Sequence, residues 1–275
     1  MIDILIDWTA LLSSEDRPCH LRGRDPAAFT GLISPDEFRA IGRAFPDSVR
    51  MIRRGELVGP SGHPSELSVD DGLRAGGTLL VTDLAQHDTR LRALAASAAA
   101  ALGCPVQLNG YLTPPGSRGN DVHFDDHDVI VLQLQGQKRW TLYDDRPVSL
   151  PVLPHRRVLD PAELHQPRPL LLEAGDVLYI PRGVPHEACT GEAASLHVSI
   201  GLHPALVRDA LIALIDVWTM DELSMRRRFG GDASAIVEQF TRLAENPKSL
   251  AALCSAACDL VKRRYAPVPG PFEKS

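Results

Sequence analysis

The chain has 275 residues, 44% of them hydrophobic and 23% charged, the balance of a globular protein, which sets aside disordered and repeat architectures. Its 35 acidic side chains outnumber its 29 basic ones, for a formal net charge of -6. That balance lacks the basic excess that phosphate neutralisation requires, so nucleic acid is not expected as the main partner, although Arg226, Arg227 and Arg228 form a local basic run. The five cysteines Cys19, Cys104, Cys189, Cys254 and Cys258 are scattered with no CxxC pair, which fits a reducing cytoplasm.

At the amino terminus, MIDILIDWTALLSSED places Asp3 and Asp7 inside its apolar stretch and has no basic residues ahead of it, so it does not read as a secretion leader. No run approaches the ~18 consecutive apolar residues of a membrane span, and no membrane association is expected. Residues 1–100 read as a helix-rich part, short helices separated by turns. Ser34-Pro35-Asp36-Glu37-Phe38 reads as a capped helix start, with proline at the first helical position. An alanine-rich helix is expected over Asp88 to Leu102. Gly55 to Gly77, rich in glycine, proline and serine, reads as a loop and a candidate lid over a site.

From Val106 to Leu202 the pattern changes to short apolar runs punctuated by glycine and proline: VQLNGYLT, DVIVLQLQG, KRWTLYD, PLLLEAGDVLYIP and SLHVSIGL. These are the strands of an antiparallel barrel or sandwich, which places a β core at residues 101–203. After Pro204, Leu206, Ala210, Leu211, Leu214 and Ile215 share one face of a helix running to about Met220. A further helical stretch is expected from Ala233 to Arg264, so residues 204–275 form a helical region. The apolar face around Leu206 to Ile215 suits a homodimer contact or packing against the barrel.

His123-Phe124-Asp125 is the first chemical signal. In a strand residues two apart point to the same face, so His123 and Asp125 can converge on one metal ion. His127 shares that face and stands as an alternative ligand, while Asp126 points away. The second signal runs from Gly175 through Val177-Leu178-Tyr179-Ile180 and Pro181-Arg182-Gly183-Val184-Pro185 to His186, where a buried strand and a proline-kinked turn present one imidazole rigidly. Two histidines and one carboxylate form the facial set of non-haem Fe(II) oxygenases, which leaves coordination positions open for a bidentate cosubstrate and dioxygen. Lys138, fifteen residues after His123 in the turn QGQK, reads on its own as a solvated hairpin lysine. His197 reads as a core histidine or a neighbour of the site. His155 and His165 read as loop residues and Trp140 as core packing.

NGYLTPPGSRG, HFDDHDVIVLQLQGQKRWTLY and GDVLYIPRGVPHEA, spread over Asn109 to Leu202, resemble the JmjC-containing cupin-4 family, whose members include the ribosomal oxygenases. The resemblance implies a double-stranded β-helix (a jelly-roll cupin of the JmjC type), preceded by helices and followed by a helical, dimerising region. It implies Fe(II) held by His123, Asp125 and His186, with 2-oxoglutarate and O2 as cosubstrates. Lys138 matches the residue that pairs with the distal carboxylate of 2-oxoglutarate, and an ammonium is what a buried carboxylate requires. Asn109, Tyr111 and Ser199 fall where members supply further polar groups to the cosubstrate, and Thr113 shares their strand face. The implied activity is hydroxylation of an amino-acid side chain in a protein or peptide. Members acting on ribosomal proteins usually continue into a winged-helix-like module that this sequence does not show before Ser275. A natural-product precursor peptide or a carrier-bound amino acid is therefore an alternative substrate to a ribosomal protein. A non-redox metal cupin and a catalytically silent JmjC-like binding module are the rivals of other classes.

Overall fold

In the computed structural model, the described residues are 17–22, 29, 31–57, 68–147, 149–151, 159–228, 231 and 233–266. They divide into a larger unit that ends at His203 and a smaller one, Pro204–Ala266. Within the larger unit the strands are β1 (Cys19–Leu21), β2 (Val49–Arg53), β3 (Glu56–Leu57), β4 (Thr78–Val81), β5 (Val106–Thr113), β6 (Asp128–Gln135), β7 (Gln137–Tyr143), β8 (Pro167–Glu173), β9 (Val177–Ile180), β10 (His186–Cys189) and β11 (Ser195–Leu202). Among the described residues of this unit the α-helices are α1 (Pro35–Ala44), α2 (Val69–Arg74) and α3 (Thr89–Leu102). Among the described residues the strands form an eight-stranded sheet in the order β1-β9-β6-β11-β5-β4-β2-β3 and a three-stranded sheet in the order β10-β7-β8, with antiparallel pairing throughout.

The period-two rule sorts the large sheet into two faces. On β5, Val106, Leu108 and Leu112 join the main apolar cluster, and on β11 Leu196, Val198, Ile200 and Leu202 do the same. Phe38 of α1 and Leu91, Leu94, Ala95, Ala98 and Ala99 of α3 complete that cluster, so helices cover one face of the sheet. Gly110 lets Phe38 approach, because a Cβ there would lie 2.3 Å from its ring. The alternate residues Asn109, Tyr111 and Thr113 of β5 and His197 and Ser199 of β11 therefore turn to the other face. Asn109 pairs with Ser199 and Tyr111 with His197 in the β5–β11 register. There a second cluster containing Val129, Val131, Trp140, Leu142, Leu172 and Leu178 joins the two sheets.

The capped start at Ser34 is present: its hydroxyl accepts from the Glu37 N–H, and Glu37 reaches back to the Ser34 N–H at 2.8 Å. The helix expected over Asp88 to Leu102 is α3, with Asp88 as its N-cap. Two expectations are corrected. Residues before Val106 supply β1 to β4 as well as helices, and the part of the Gly55–Gly77 segment that is described holds β3 and α2, while 58–67 lie outside the described residues. Past Pro204 the helices are α4 (Val207–Asp221), α5 (Ala233–Ala244) and α6 (Pro247–Arg264). The stretch expected as continuous from Ala233 to Arg264 breaks at Asn246-Pro247, where Asn246 caps α6 by accepting from the Ser249 N–H. Trp218 of α4, Leu243 of α5 and Leu253 of α6 form the core of this smaller unit.

Candidate metal centre

His123 lies just ahead of β6, not within a strand, because regular pairing starts only at Asp128. It forms an isolated antiparallel bridge with His186. The His123 N–H donates to the His186 carbonyl at 3.1 Å and the His186 N–H to the His123 carbonyl at 2.8 Å. The Gly183 N–H donates to the Asp125 carbonyl at 2.9 Å, and the Arg182 N–H to the Asp128 carboxylate at 2.8 Å. The segment carrying His123 and Asp125 is thus laced to the kinked turn that carries His186.

One ligand atom from each of His123, Asp125 and His186 lies within 4.8 Å of the others, a spacing that one metal ion can bridge. The rings of His123 and His186 are 4.5 Å apart, and His186 Nε2 stands 3.6 Å from the Asp125 carboxylate. Each imidazole is oriented by the carbonyl two residues before it: His123 Nδ1 is 2.7 Å from the Asp121 oxygen and His186 Nδ1 is 3.0 Å from the Val184 oxygen. A ring whose Nδ1 donates to a carbonyl presents Nε2 as its ligating atom. Both histidines are buried, and Asp125 is half-buried. Arg118 braces the arrangement from outside by bridging Asp121 at 2.9 Å and Glu187 at 2.6 Å, and the Tyr143 hydroxyl donates to Glu187 at 3.0 Å. Burial and the neighbouring Glu187 push the Tyr143 phenol up to about 12, so it stays protonated as that donor.

The three groups face a cavity of about 240 Å³ that is also lined by Asn109, Tyr111, Lys138, His197 and Ser199. Lys138 belongs to β7 and is only 4% exposed, so it is neither in the turn nor a solvated hairpin residue. Its ammonium donates to the Thr113 hydroxyl at 2.9 Å, and Thr113 in turn accepts from Thr78 at 3.1 Å. His197 Nδ1 is 3.5 Å from Lys138 Nζ, and its ring is stacked on Tyr111 at 4.8 Å. Burial pulls the Lys138 ammonium down to about 7. Burial, and then the Lys138 charge, hold His197 neutral far below the usual imidazole range. A cation buried without a carboxylate is costly, and an anionic guest is what would offset that cost.

The structure thus brings His123, Asp125, His186, Lys138, Asn109, Tyr111 and Ser199 to the lining of one cavity, with Thr113 behind Lys138. Asn109 also accepts from the Asp83 N–H at 3.2 Å. Thr113 is promoted from a neighbour on the strand to the direct partner of Lys138. His127 lines the cavity but is not among the three converging groups; it pairs with Asp126 at 2.9 Å and its ring lies 4.9 Å from that of His203. Trp140 lines the cavity as well as packing in the core. His165 pairs with Asp145 on the surface, and His155 lies outside the described residues. Sequence reasoning missed Ile52, Thr78 and Leu80 of β2 and β4, along with Gly119 and Asn120. The signal available was MIRRGELV, a hairpin around Arg54-Gly55, and the TLLV run after Gly76-Gly77.

Residues 80–210 match the model of the JmjC domain. Ribosomal oxygenase 1 of Gallus gallus is 34% identical over 209 residues, which is 68% of this chain and 33% of that protein. The bifunctional lysine-specific demethylase and histidyl-hydroxylase NO66 of Dictyostelium discoideum is 42% identical over 104 residues, 36% of this chain and 20% of its own length. The structure of YcfD, a ribosomal oxygenase from Escherichia coli, in complex with cobalt and succinic acid aligns with a TM-score of 0.59 at 22% identity, over 90% of this chain and 69% of that one, and so shares the fold. The chain spans a third or less of the curated relatives named here. The JmjC match takes in both metal-facing segments and the cavity strands β5, β6, β7, β9, β10 and β11, so residues 80–210 of this chain carry a JmjC domain.

Proposed function

We propose that this protein is an Fe(II)- and 2-oxoglutarate-dependent oxygenase that hydroxylates an amino-acid side chain in a protein or peptide. One observation carries the reading: a two-histidine, one-carboxylate set and a buried lysine share a single cavity. The donor set suits Fe(II) with positions left open, and Lys138 suits the distal carboxylate of a five-carbon dicarboxylate. His123, Asp125 and His186 would hold the iron, which when bound supplies dioxygen activation coupled to decarboxylation of 2-oxoglutarate. The chain itself orients the guest through Lys138 and Thr113, with Asn109, Tyr111 and Ser199 lining its berth, and the apolar walls Val129, Val131 and Ile180 exclude water from it.

A non-redox metal cupin would need the three ligands but not a lysine buried in the same cavity, and a silent binding module would have no reason to keep all of them. The named relatives make ribosomal proteins the first substrates to screen, with precursor peptides and carrier-bound amino acids next. We place the enzyme in the cytoplasm as a homodimer. No helix among the described residues is long and apolar enough to cross a membrane, and Val207, Leu211 and Ile215 leave an exposed apolar stripe along α4. Light scattering of Leu211→Glu against wild type tests the dimer.

The deciding experiment is succinate formation from 2-oxoglutarate by protein loaded with Fe(II) under nitrogen and then exposed to air. Iron-dependent succinate that disappears in His123→Ala and Lys138→Ala is the expected result. Absence of turnover in wild type with every candidate peptide would replace the oxygenase reading with one of the two rivals.

A further inference from the structure

Trp140 carries a feature that packing alone does not explain. It is 6% exposed, and its indole Nε1 is fully buried with no hydrogen-bond partner. Buried indole N–H groups ordinarily find an acceptor, because leaving one unmet forfeits its interaction with water. A phenylalanine would fill an apolar slot without that cost. The position of the ring shows where an acceptor would come from. Lys138 and Trp140 are two residues apart on β7 and so face the same way, and both line the cavity. The indole lies 5.9 Å from the ring of His186, a member of the metal-facing set, and 5.6 Å from the ring of His197, which neighbours Lys138. The ring thus stands within 6 Å of one histidine of the metal-facing set and of the histidine beside Lys138, the two ends that a dicarboxylate guest would span.

We propose that the Trp140 indole N–H is a ligand-binding donor, hydrogen-bonding an oxygen of the dicarboxylate held between the metal-facing set and Lys138. The proposal rests on the reading of the cavity as a 2-oxoglutarate site and adds a contact that the sequence pattern does not assign. It gives Trp140 a role in affinity besides its packing against Leu142 and Leu172 in the second cluster. A free protein with an orphaned donor and a complex with a satisfied one also differ in a way that can be measured.

The test uses two variants, Trp140→Phe and a full-length protein with 3-benzothienylalanine at position 140, which keeps the shape of the indole and lacks the N–H. Titration calorimetry with 2-oxoglutarate on Fe(II)-loaded protein under nitrogen should give an affinity about tenfold weaker, or worse, in both, the size expected when a hydrogen bond to a charged oxygen is lost. The ligand-free benzothienyl protein should melt no lower than wild type, since no protein hydrogen bond is removed. In zinc-loaded protein labelled with 15N-tryptophan, the indole signal absent from Trp140→Phe, one of three from Trp8, Trp140 and Trp218, should move when 2-oxoglutarate is added. Wild-type affinity in the benzothienyl protein together with an unmoved Trp140 signal would overturn the proposal and leave the oxygenase reading intact. If wild-type protein itself binds no 2-oxoglutarate, the oxygenase reading falls and takes the proposal with it.

Discussion

His123 and His186 exchange both backbone hydrogen bonds across an isolated bridge, at 3.1 and 2.8 Å, so the main chain brings the two imidazoles together without help from a metal. The Asp121 and Val184 carbonyls then fix the ring orientations. Neither feature depends on the imidazole that alanine would remove at the opposite position. His123→Ala and His186→Ala are therefore expected to fold and to melt cooperatively in the metal-free state. Their affinity for Co(II), read by anaerobic titration, should fall by more than the roughly 10–100-fold that loss of an outer-shell partner costs. A variant that kept wild-type affinity would remove that side chain from the ligand set.

Lys138 makes a prediction about pH. Its folded-state value is about 7 against an ordinary 10.5, so between those two values the unfolded chain carries a proton that the folded one lacks. By linkage the burial cost is full below about pH 7 and is relieved as pH rises towards 10.5, at no more than ~1.4 kcal/mol per pH unit. Ligand-free wild type should therefore gain stability relative to Lys138→Met between pH 7 and 9.5 in urea titrations, and Lys138→Met should be the more stable protein at pH 7. A bound dicarboxylate restores the ammonium, so 2-oxoglutarate binding at pH 8 should take up close to one proton. Calorimetry in buffers of different ionisation enthalpy measures that number, and zero uptake would contradict the assignment.

Thr113 is the direct oxygen partner of the Lys138 ammonium at 2.9 Å and sits on a buried chain with Thr78. Replacing it by valine keeps the volume and deletes the acceptor. A hydrogen bond to a charged group contributes ~1.5–3 kcal/mol, so Thr113→Val should raise the KM for 2-oxoglutarate by about tenfold or more. The kcat should change far less, because the hydroxyl lies at Lys138 and not at the metal-facing set. Equal losses in KM and kcat would show that Thr113 shapes the cavity as a whole.

The candidate site was legible in the chain because its elements carry strong local signals: HFD, the glycine and proline frame of His186, and polar residues at every second position of β5 and β11. The strands from Val106 to Leu202 were legible for the same reason, since β6 carries the apolar run Val-Ile-Val-Leu and ends just before Gly136. The environment of Lys138 was not. A lysine two residues after a glycine looks solvated, and its burial arises because β7 pairs in the small sheet, from which Lys138 reaches Thr113 of the large one. The early strands were hidden by their brevity. β4 is four residues long and earns its place through pairing with β2 and β5, an interaction distant in sequence that local propensity does not report. Trp140 looked like core because an aromatic in a strand usually is, and the unmet indole nitrogen is visible only in three dimensions.

Gly136 supplies the last prediction, since it sets where Lys138 points. It is the single residue between β6 of the large sheet and β7 of the small one, and its φ is +67°. A Cβ at this position would stand 2.0 Å from the Ala194 carbonyl oxygen, which belongs to the backbone and cannot rotate away. The left-handed conformation alone costs a non-glycine residue ~1–3 kcal/mol, and relieving the clash requires the 194–195 backbone or the β6–β7 crossing to shift. Gly136→Ala is therefore expected to destabilise the protein by at least ~2 kcal/mol in urea denaturation. A shift of the crossing moves Lys138, two residues on, before it moves His123 or His186, which are held by their own bridge. The variant should accordingly lose affinity for 2-oxoglutarate while keeping most of its affinity for Co(II). Metal and dicarboxylate binding falling together would instead mean that the crossing and the bridge form one cooperative unit.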